Sequence, residues 1–165
     1  MRTERHLRLW TVLALGLFLT ACGFQLRGTA ELPESLSRIH LGGNGLTPEY
    51  ERYLVPALRR AGAKMVTDPA AASARLEIVA IDEGRDLLAL GVGSTVRDFQ
   101  LATSIDYRLH IDGQEPTRTG RVSAQRSVQT SAFNVTAALA EARRAQGELR
   151  DEAVASLVRR LTAAN

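Results

Sequence analysis

Cys22 carries the only thiol of the chain and is the residue whose chemistry and position stand out first. Two small residues precede it, and an apolar run, 9–19, precedes those. Three arginines lie before or at the edge of that run: Arg2, Arg5 and Arg8. A basic start, an apolar segment of ~7–15 residues and a small-residue end are typical of a secretory signal, and the run falls well short of the ~20 residues that cross a bilayer. We therefore expect residues 1–21 to be a signal peptide that is removed.

The sequence Leu-Thr-Ala-Cys that ends at Cys22 resembles a lipobox, the motif read by the lipoprotein-processing machinery. The resemblance implies diacylglycerol on the thiol, cleavage before Cys22 and acylation of the new amino group. Three acyl chains exceed the two signals that stable anchoring requires. Gly23 stands where a retention aspartate would stand, which by the usual bacterial sorting rule implies the outer membrane, on its periplasmic side. An ordinary secretory signal with a coincidental cysteine and an uncleaved anchor are the alternatives.

The rest of the chain is long enough for one domain with a core of its own. Without residues 1–21, 144 of the 165 residues remain, with no second cysteine and therefore no internal disulfide. We expect a tether over 22–36 and a single domain over 37–165. Basic and acidic residues then nearly balance, at 18 and 17.

Arginine supplies nearly all of the positive charge, since Lys64 is the only lysine. This bias reflects either the base composition of the genome or arginines that bind phosphate or carboxylate in a bidentate manner. Aromatic residues are few and do not alternate with basic ones, so nucleic-acid binding is not expected.

Residue periodicity predicts an α+β domain with the order β-α-β-β-β-α, in which two helices pack on one face of a four-stranded mixed sheet. The strands are expected at 38–41, 75–81, 99–111 and 118–128, and the helices at 47–62 and 134–162. In the second strand, Leu76, Ile78 and Ala80 are expected to share one face. The segment 82–94 suggests a bulge or a long hairpin loop, and its acidic residues are expected to face water: Asp82, Glu83 and Asp86, with Asp98 just beyond.

No arrangement of residues indicates catalysis, a metal or a cofactor. His40 and His110 are isolated strand residues, and no Gly-x-Ser-x-Gly elbow accompanies the many serines. The glycines at 42–45 follow a strand, but they lack the Gly-Lys-Ser/Thr of a phosphate-binding loop. We therefore expect a protein that binds and is not an enzyme.

Several segments, in order along the chain, resemble the LPS-assembly lipoprotein LptE family. They are Cys-Gly-Phe-Gln-Leu-Arg at 22–27, Leu-Arg-Arg-Ala-Gly at 58–62, Arg-Asp-Phe-Gln-Leu at 97–101, Ala-Ala-Leu-Ala at 137–140 and the end of an amphipathic helix at 157–161. Each segment alone is a weak motif, whereas their order and spacing cover nearly the whole mature chain.

The resemblance implies a plug inside the lumen of a large outer-membrane β-barrel, LptD, which assists assembly of the barrel and insertion of lipopolysaccharide into the outer leaflet. It also implies lipopolysaccharide binding by basic residues near the loop before the long strand and near the start of the last helix. The nearby candidates here are Arg85, Arg97, Arg143 and Arg144. The chain departs from the family at Val92, Gly93 and Glu141, where basic residues are missing.

Two other functions remain open at this point. The first is an auxiliary lipoprotein of a lipid transporter or a barrel-assembly machine with no lipopolysaccharide role. The second is an enzyme tethered in the periplasm, for which the sequence offers no set of catalytic residues.

Overall fold

The computed structural model of the chain describes residues 31–90, 96–131 and 135–163, and for 87–90, 96–98, 130–131 and 135 it describes the backbone alone. The predicted signal peptide and Cys22 lie outside the described residues. The helices and strands are β1 Arg38–Gly42, α1 Pro48–Arg60, β2 Lys64–Met65, β3 Ala74–Leu90, β4 Val96–Ile111, β5 Gln114–Ser131 and α2 Val135–Thr162, with short 3-10 turns at Glu34–Leu36 and Pro69–Ala71.

The strands form one mixed sheet in the order β2-β1-β3-β4-β5. β1 is parallel to both of its neighbours, and β3, β4 and β5 are antiparallel to one another in turn. The predicted mixed sheet with two helices is confirmed, but the expected count of four strands is wrong. The fifth strand, β2, is only two residues long, so it has no alternation that a sequence pattern could reveal.

Both helices share one hydrophobic core with one face of the sheet. α1 starts where Thr47 accepts a hydrogen bond from the backbone N–H of Tyr50, and it buries Tyr50, Leu54 and Leu58. The helix continues through the exposed Pro56 to Arg60, and Gly62 follows it with a φ of +95°. Leu36, at the end of the predicted tether, is fully buried, so the packed structure includes that end.

α2 joins the core only after its first ten residues. Its buried side chains begin at Ala145 and continue through Leu149 to Leu161, whereas none of residues 136–144 is buried. Leu139, an apolar residue in this part of the helix, is 49% exposed. The start of α2 therefore extends beyond the packed part of the domain.

A bulge in β3 changes which residues face the helices. The register with β4 shifts between Ile78 and Ala80, so Val79 has no partner across the strand pair. Beyond the bulge, Ile81 lies opposite Ile105 on the helix-facing side. The expectation that Ala80 shares the face of Ile78 is therefore wrong, because one extra residue reverses the alternation.

The glycine-rich loop after β1 packs against this bulge. The N–H of Gly45 donates to the carbonyl oxygen of Ile78 at 3.0 Å. A Cβ on Gly45 would lie 2.6 Å from the carbonyl carbon of Val79, and one on Gly43 would lie 2.3 Å from the oxygen of Ile78. The loop therefore has glycine at positions 43 and 45, because two backbones meet there without space for side chains.

This contact predicts that Gly45→Ala is destabilising. The added methyl group clashes with backbone that cannot rotate away, so we expect a loss of about 2 kcal/mol in the free energy of unfolding, measured by urea denaturation. Gly84→Ala is the matched control, because a Cβ there meets nothing within 4 Å and the expected change is below about 0.5 kcal/mol. Equal stability of the two variants would contradict the role of the contact.

Candidate functional site

The four arginines predicted to bind a ligand lie at one end of the sheet, which we call the open end. The open end comprises residues 82–90 of β3, 96–101 of β4, 126–131 of β5 and 136–144 of α2. Arg85 of β3 lies opposite Leu101 of β4. Arg97 lies between Leu90 on one neighbouring strand and Thr130 on the other. The antiparallel pairing thus brings residues that are distant in sequence to one edge of the domain.

A side-chain contact places the start of α2 at this same end. The amide of Gln146 donates to the hydroxyl oxygen of Thr103 in β4 at 3.1 Å. Arg143 lies about one helical turn before Gln146, and Arg144 is the next residue after Arg143. Both arginines therefore lie in the part of α2 that comes before its buried residues. Both side chains are exposed.

The open end combines cations with apolar surface. The guanidinium carbon of Arg85 lies 3.9 Å from the centroid of the Phe99 ring, which is within the range of a cation–π contact. On α2, Leu139 is four residues before Arg143, so the two side chains share one face of the helix. An exposed leucine beside an exposed arginine suits a ligand that carries both an anionic group and a hydrocarbon chain.

Acidic residues at the open end limit its positive charge. Asp86 on β3 and Glu141 on α2 are both exposed. Arg126 on β5 is not free to contribute, because it forms an ion pair with Glu148 of α2. The surface is therefore patterned in charge rather than uniformly basic.

A group of polar side chains holds α1, β3 and α2 together where the open end meets the packed core. We call it the Glu83 clamp, and it consists of Glu49, Tyr50, Glu83 and Arg150. Arg150 donates through Nε and one terminal nitrogen to the two carboxylate oxygens of Glu83, at 2.6 and 2.9 Å. Its other terminal nitrogen reaches Glu49 at 2.5 Å, and the hydroxyl of Tyr50 donates to Glu83 at 2.5 Å.

The clamp changes the acidity of its members. Hydrogen bonds from Arg150, against the opposing effect of burial, lower the pKa of Glu83 from 4.5 to about 2. Burial, followed by the hydrogen bond to Glu83, raises the pKa of Tyr50 well above its ordinary value. The hydrogen bonds to Glu83 raise the pKa of Arg150 further. The carboxylate and the guanidinium are therefore both charged across the physiological range, as a bidentate ion pair requires.

Sequence reasoning missed the clamp. Glu83 is exposed, as expected of it and the neighbouring acids, but the bulge at Val79 turns its side chain toward the helices, where it is 30% exposed and accepts hydrogen bonds from Arg150. Arg150 is 17% exposed, although its position on the polar side of α2 looks like that of other arginines in the helix. No local motif distinguishes either residue. Asp82 and Asp86 are exposed as predicted.

The opposite face of the sheet carries polar pairs that face water. Arg121 of β5 donates two hydrogen bonds of 2.5 Å to the carboxylate of Asp106, and these lower the pKa of Asp106. Arg108 pairs with Glu77 at 3.1 Å. In the described ranges there is no helix of sufficient length and hydropathy to cross a membrane.

The Glu83 clamp predicts a pH-dependent part of the stability. Glu83 has a pKa of about 2 when folded and near 4.5 when unfolded, so between these values the unfolded chain binds more protons and stability falls as the pH is lowered. Arg150→Met removes the main cause of the low pKa. We expect this substitution to lower the free energy of unfolding by about 2 kcal/mol near pH ~7 and to reduce the further loss on acidification to pH ~3.

Urea denaturation at both pH values measures these effects. Arg108→Met is the control, because its ion pair with Glu77 is about half exposed on both sides and should contribute below ~0.5 kcal/mol. The same loss and the same pH dependence in both variants would show that the clamp has no special role.

Comparison with known proteins supports the resemblance seen in the sequence. The LPS-assembly lipoprotein LptE of Yersinia enterocolitica is 29% identical over 159 residues, which are 95% of this chain and 76% of that protein. The LPS-assembly lipoprotein LptE of Pectobacterium atrosepticum is 26% identical over 163 residues, 98% of this chain and 88% of that protein. No family model matches the chain.

A solved structure shares the fold. The solution NMR structure of uncharacterized lipoprotein B from Nitrosomonas europaea superposes with a TM-score of 0.66 at 25% sequence identity, covering 86% of this chain and 91% of that one. The α+β architecture with its mixed sheet is therefore that of a known lipoprotein structure. Together with the two sequence matches over nearly the whole of this chain, this confirms the predicted resemblance: the chain is a homologue of the LPS-assembly lipoproteins named LptE.

Proposed function

We propose that the chain is an outer-membrane lipoprotein of lipopolysaccharide assembly, anchored through acylated Cys22 and facing the periplasm. In this proposal it forms a plug in an LptD-like β-barrel, assists assembly of the barrel and the insertion of lipopolysaccharide, and binds lipopolysaccharide at the open end. The observation that carries the proposal is the similarity to two LptE lipoproteins over nearly the whole chain.

The polar face of the sheet supports the plug. A barrel lumen is polar and filled with water, so an occupant needs a surface of hydrogen-bonding and charged groups. The ion pairs of Arg121 with Asp106 and of Arg108 with Glu77 give the face opposite the helices this character. The hydrophobic residues of the core are instead covered by α1 and α2.

The open end supports lipopolysaccharide binding. Guanidinium groups suit the phosphates of lipid A, because they donate two parallel hydrogen bonds to neighbouring oxygens. The exposed Leu139 beside Arg143 offers apolar contact for an acyl chain. The Glu83 clamp then has a positioning role, since it fixes α2 against β3 immediately behind these groups.

Purification of the membrane-bound chain in detergent tests the partnership. We expect one very large β-barrel to co-purify with it, because a plug enclosed by a barrel is released only when the barrel opens. The control is a fusion of residues 1–30 to an unrelated domain, which shares the signal and the anchor but not the fold. Recovery of transporter or barrel-assembly subunits in place of that barrel would favour the auxiliary role, and recovery of neither would contradict the plug.

Replacement of Arg85, Arg97, Arg143 and Arg144 by alanine tests the binding site. We expect the affinity for lipopolysaccharide micelles, measured by fluorescence titration, to fall at least about tenfold, since charge-assisted hydrogen bonds to phosphate are lost. The matched control removes four exposed cations near the other end of the domain: Arg38, Arg59, Arg60 and Lys64. If both variants lost the same affinity, the effect would be one of net charge alone. If the affinity were unchanged, the four arginines would not be part of the binding site.

A further inference from the structure

A groove of about 500 Å³ lies between α1 and α2. Its apolar lining residues are Ala57, Ala61, Val154, Ala155 and Val158. Because three of them are alanines, the two helices leave space between them that no side chain of the described residues fills. Charged residues at its rim are Arg60, Asp151 and Arg159.

The described chain begins beside this groove. The N–H of Leu32 donates to the carbonyl oxygen of Ala61 at 2.9 Å, and Ala61 is one of the groove residues. Leu32 also packs against the core. The hydrogen bond ties the entering chain to the end of α1, so residues that precede Leu32 start from the edge of the groove.

The segment that precedes this point has the length and the pattern to fill the groove. Residues 22–30 are nine in number and reach about 30 Å when extended. The residues that line the groove lie within 57–61 of α1 and 151–159 of α2, so the groove extends about 12 Å along α2 and the segment is long enough to cover it. Phe24 and Leu26 are two positions apart, so they fall on the same side of an extended chain, and the other residues from Gly23 to Ala30 are polar or small.

We propose that residues 24–30 dock along the groove between α1 and α2, with Phe24 and Leu26 as the apolar side chains that enter it. Arg27 then lies at the rim, which carries one carboxylate, Asp151, and two guanidinium groups, Arg60 and Arg159. Only Cys22 and Gly23 remain between the docked segment and the membrane. The tether is therefore short and fixes the orientation of the domain, with its helical side toward the bilayer.

Disulfide trapping in the full-length chain tests the docking. We expect Leu26→Cys combined with Ala155→Cys to cross-link at least about tenfold faster under mild oxidation than Leu26→Cys combined with Thr119→Cys, because docking raises the local concentration of one thiol near the other. Thr119 is exposed on the polar face of the sheet, opposite Arg108. Peptide mapping separates these pairs from any pair that includes Cys22. Equal rates, or no cross-link to position 155, would overturn the proposal.

Cleavage by trypsin after Arg27 gives a second measurement. We expect Ala155→Glu to speed this cleavage by about tenfold and Thr119→Glu to leave it unchanged, since proteolysis follows the population of the undocked segment. Circular dichroism checks that both variants remain folded. Unchanged cleavage in Ala155→Glu would contradict docking. A covalent dimer of Ala155→Cys alone would assign the groove to a second copy of the chain and would also overturn the proposal.

Discussion

The bidentate ion pair between Arg150 and Glu83 is the interaction on which the arrangement of the open end depends. It exists only because the bulge at Val79 turns Glu83 toward the helices, and the bulge in turn packs against a glycine loop that leaves no space for side chains. α2 extends ten residues beyond Ala145, where its burial in the core begins, so the apolar packing from Ala145 onward and the ion pair with Glu83 together fix where that extension starts. The position of the exposed arginines of α2 thus depends, through the bulge and the Glu83 clamp, on the close backbone packing at Gly45.

The parts of the fold that sequence patterns predicted are those in which one face of an element is buried. β4 is the clearest case, because its odd-numbered residues from Leu101 to Ile111 are buried and the residues between them are not. α1 was equally predictable, since a capping threonine and a left-handed glycine define its ends. Both features depend on neighbours close in sequence, which is the information that periodicity contains.

The parts that could not be predicted depend on tertiary contacts. β2 has two residues and exists only because β1 lies beside it. The bulge at Val79 leaves no mark in a run of apolar residues, yet it decides whether Glu83 can reach Arg150. For the candidate site, the four arginines were identified through the family resemblance. Strand pairing brings Arg85 and Arg97 to one end of the sheet, and the packing of α2 against β4 brings Arg143 and Arg144 there. The clamp behind them was visible only in three dimensions.

β5 has 18 residues and, among the residues described, pairs with a neighbouring strand along one side only. A long edge of unpaired backbone donors and acceptors invites another strand to add to it, whether from a partner or from an aggregating copy. Arg118, Arg121 and Arg126 are spaced along this strand, and charged side chains on an edge strand disfavour the addition of another strand, even though Arg121 and Arg126 form ion pairs with acidic residues of their own domain. The arginines of β5 thus have a structural consequence that is independent of any ligand: they place charged side chains along the exposed edge of the sheet and so disfavour its extension.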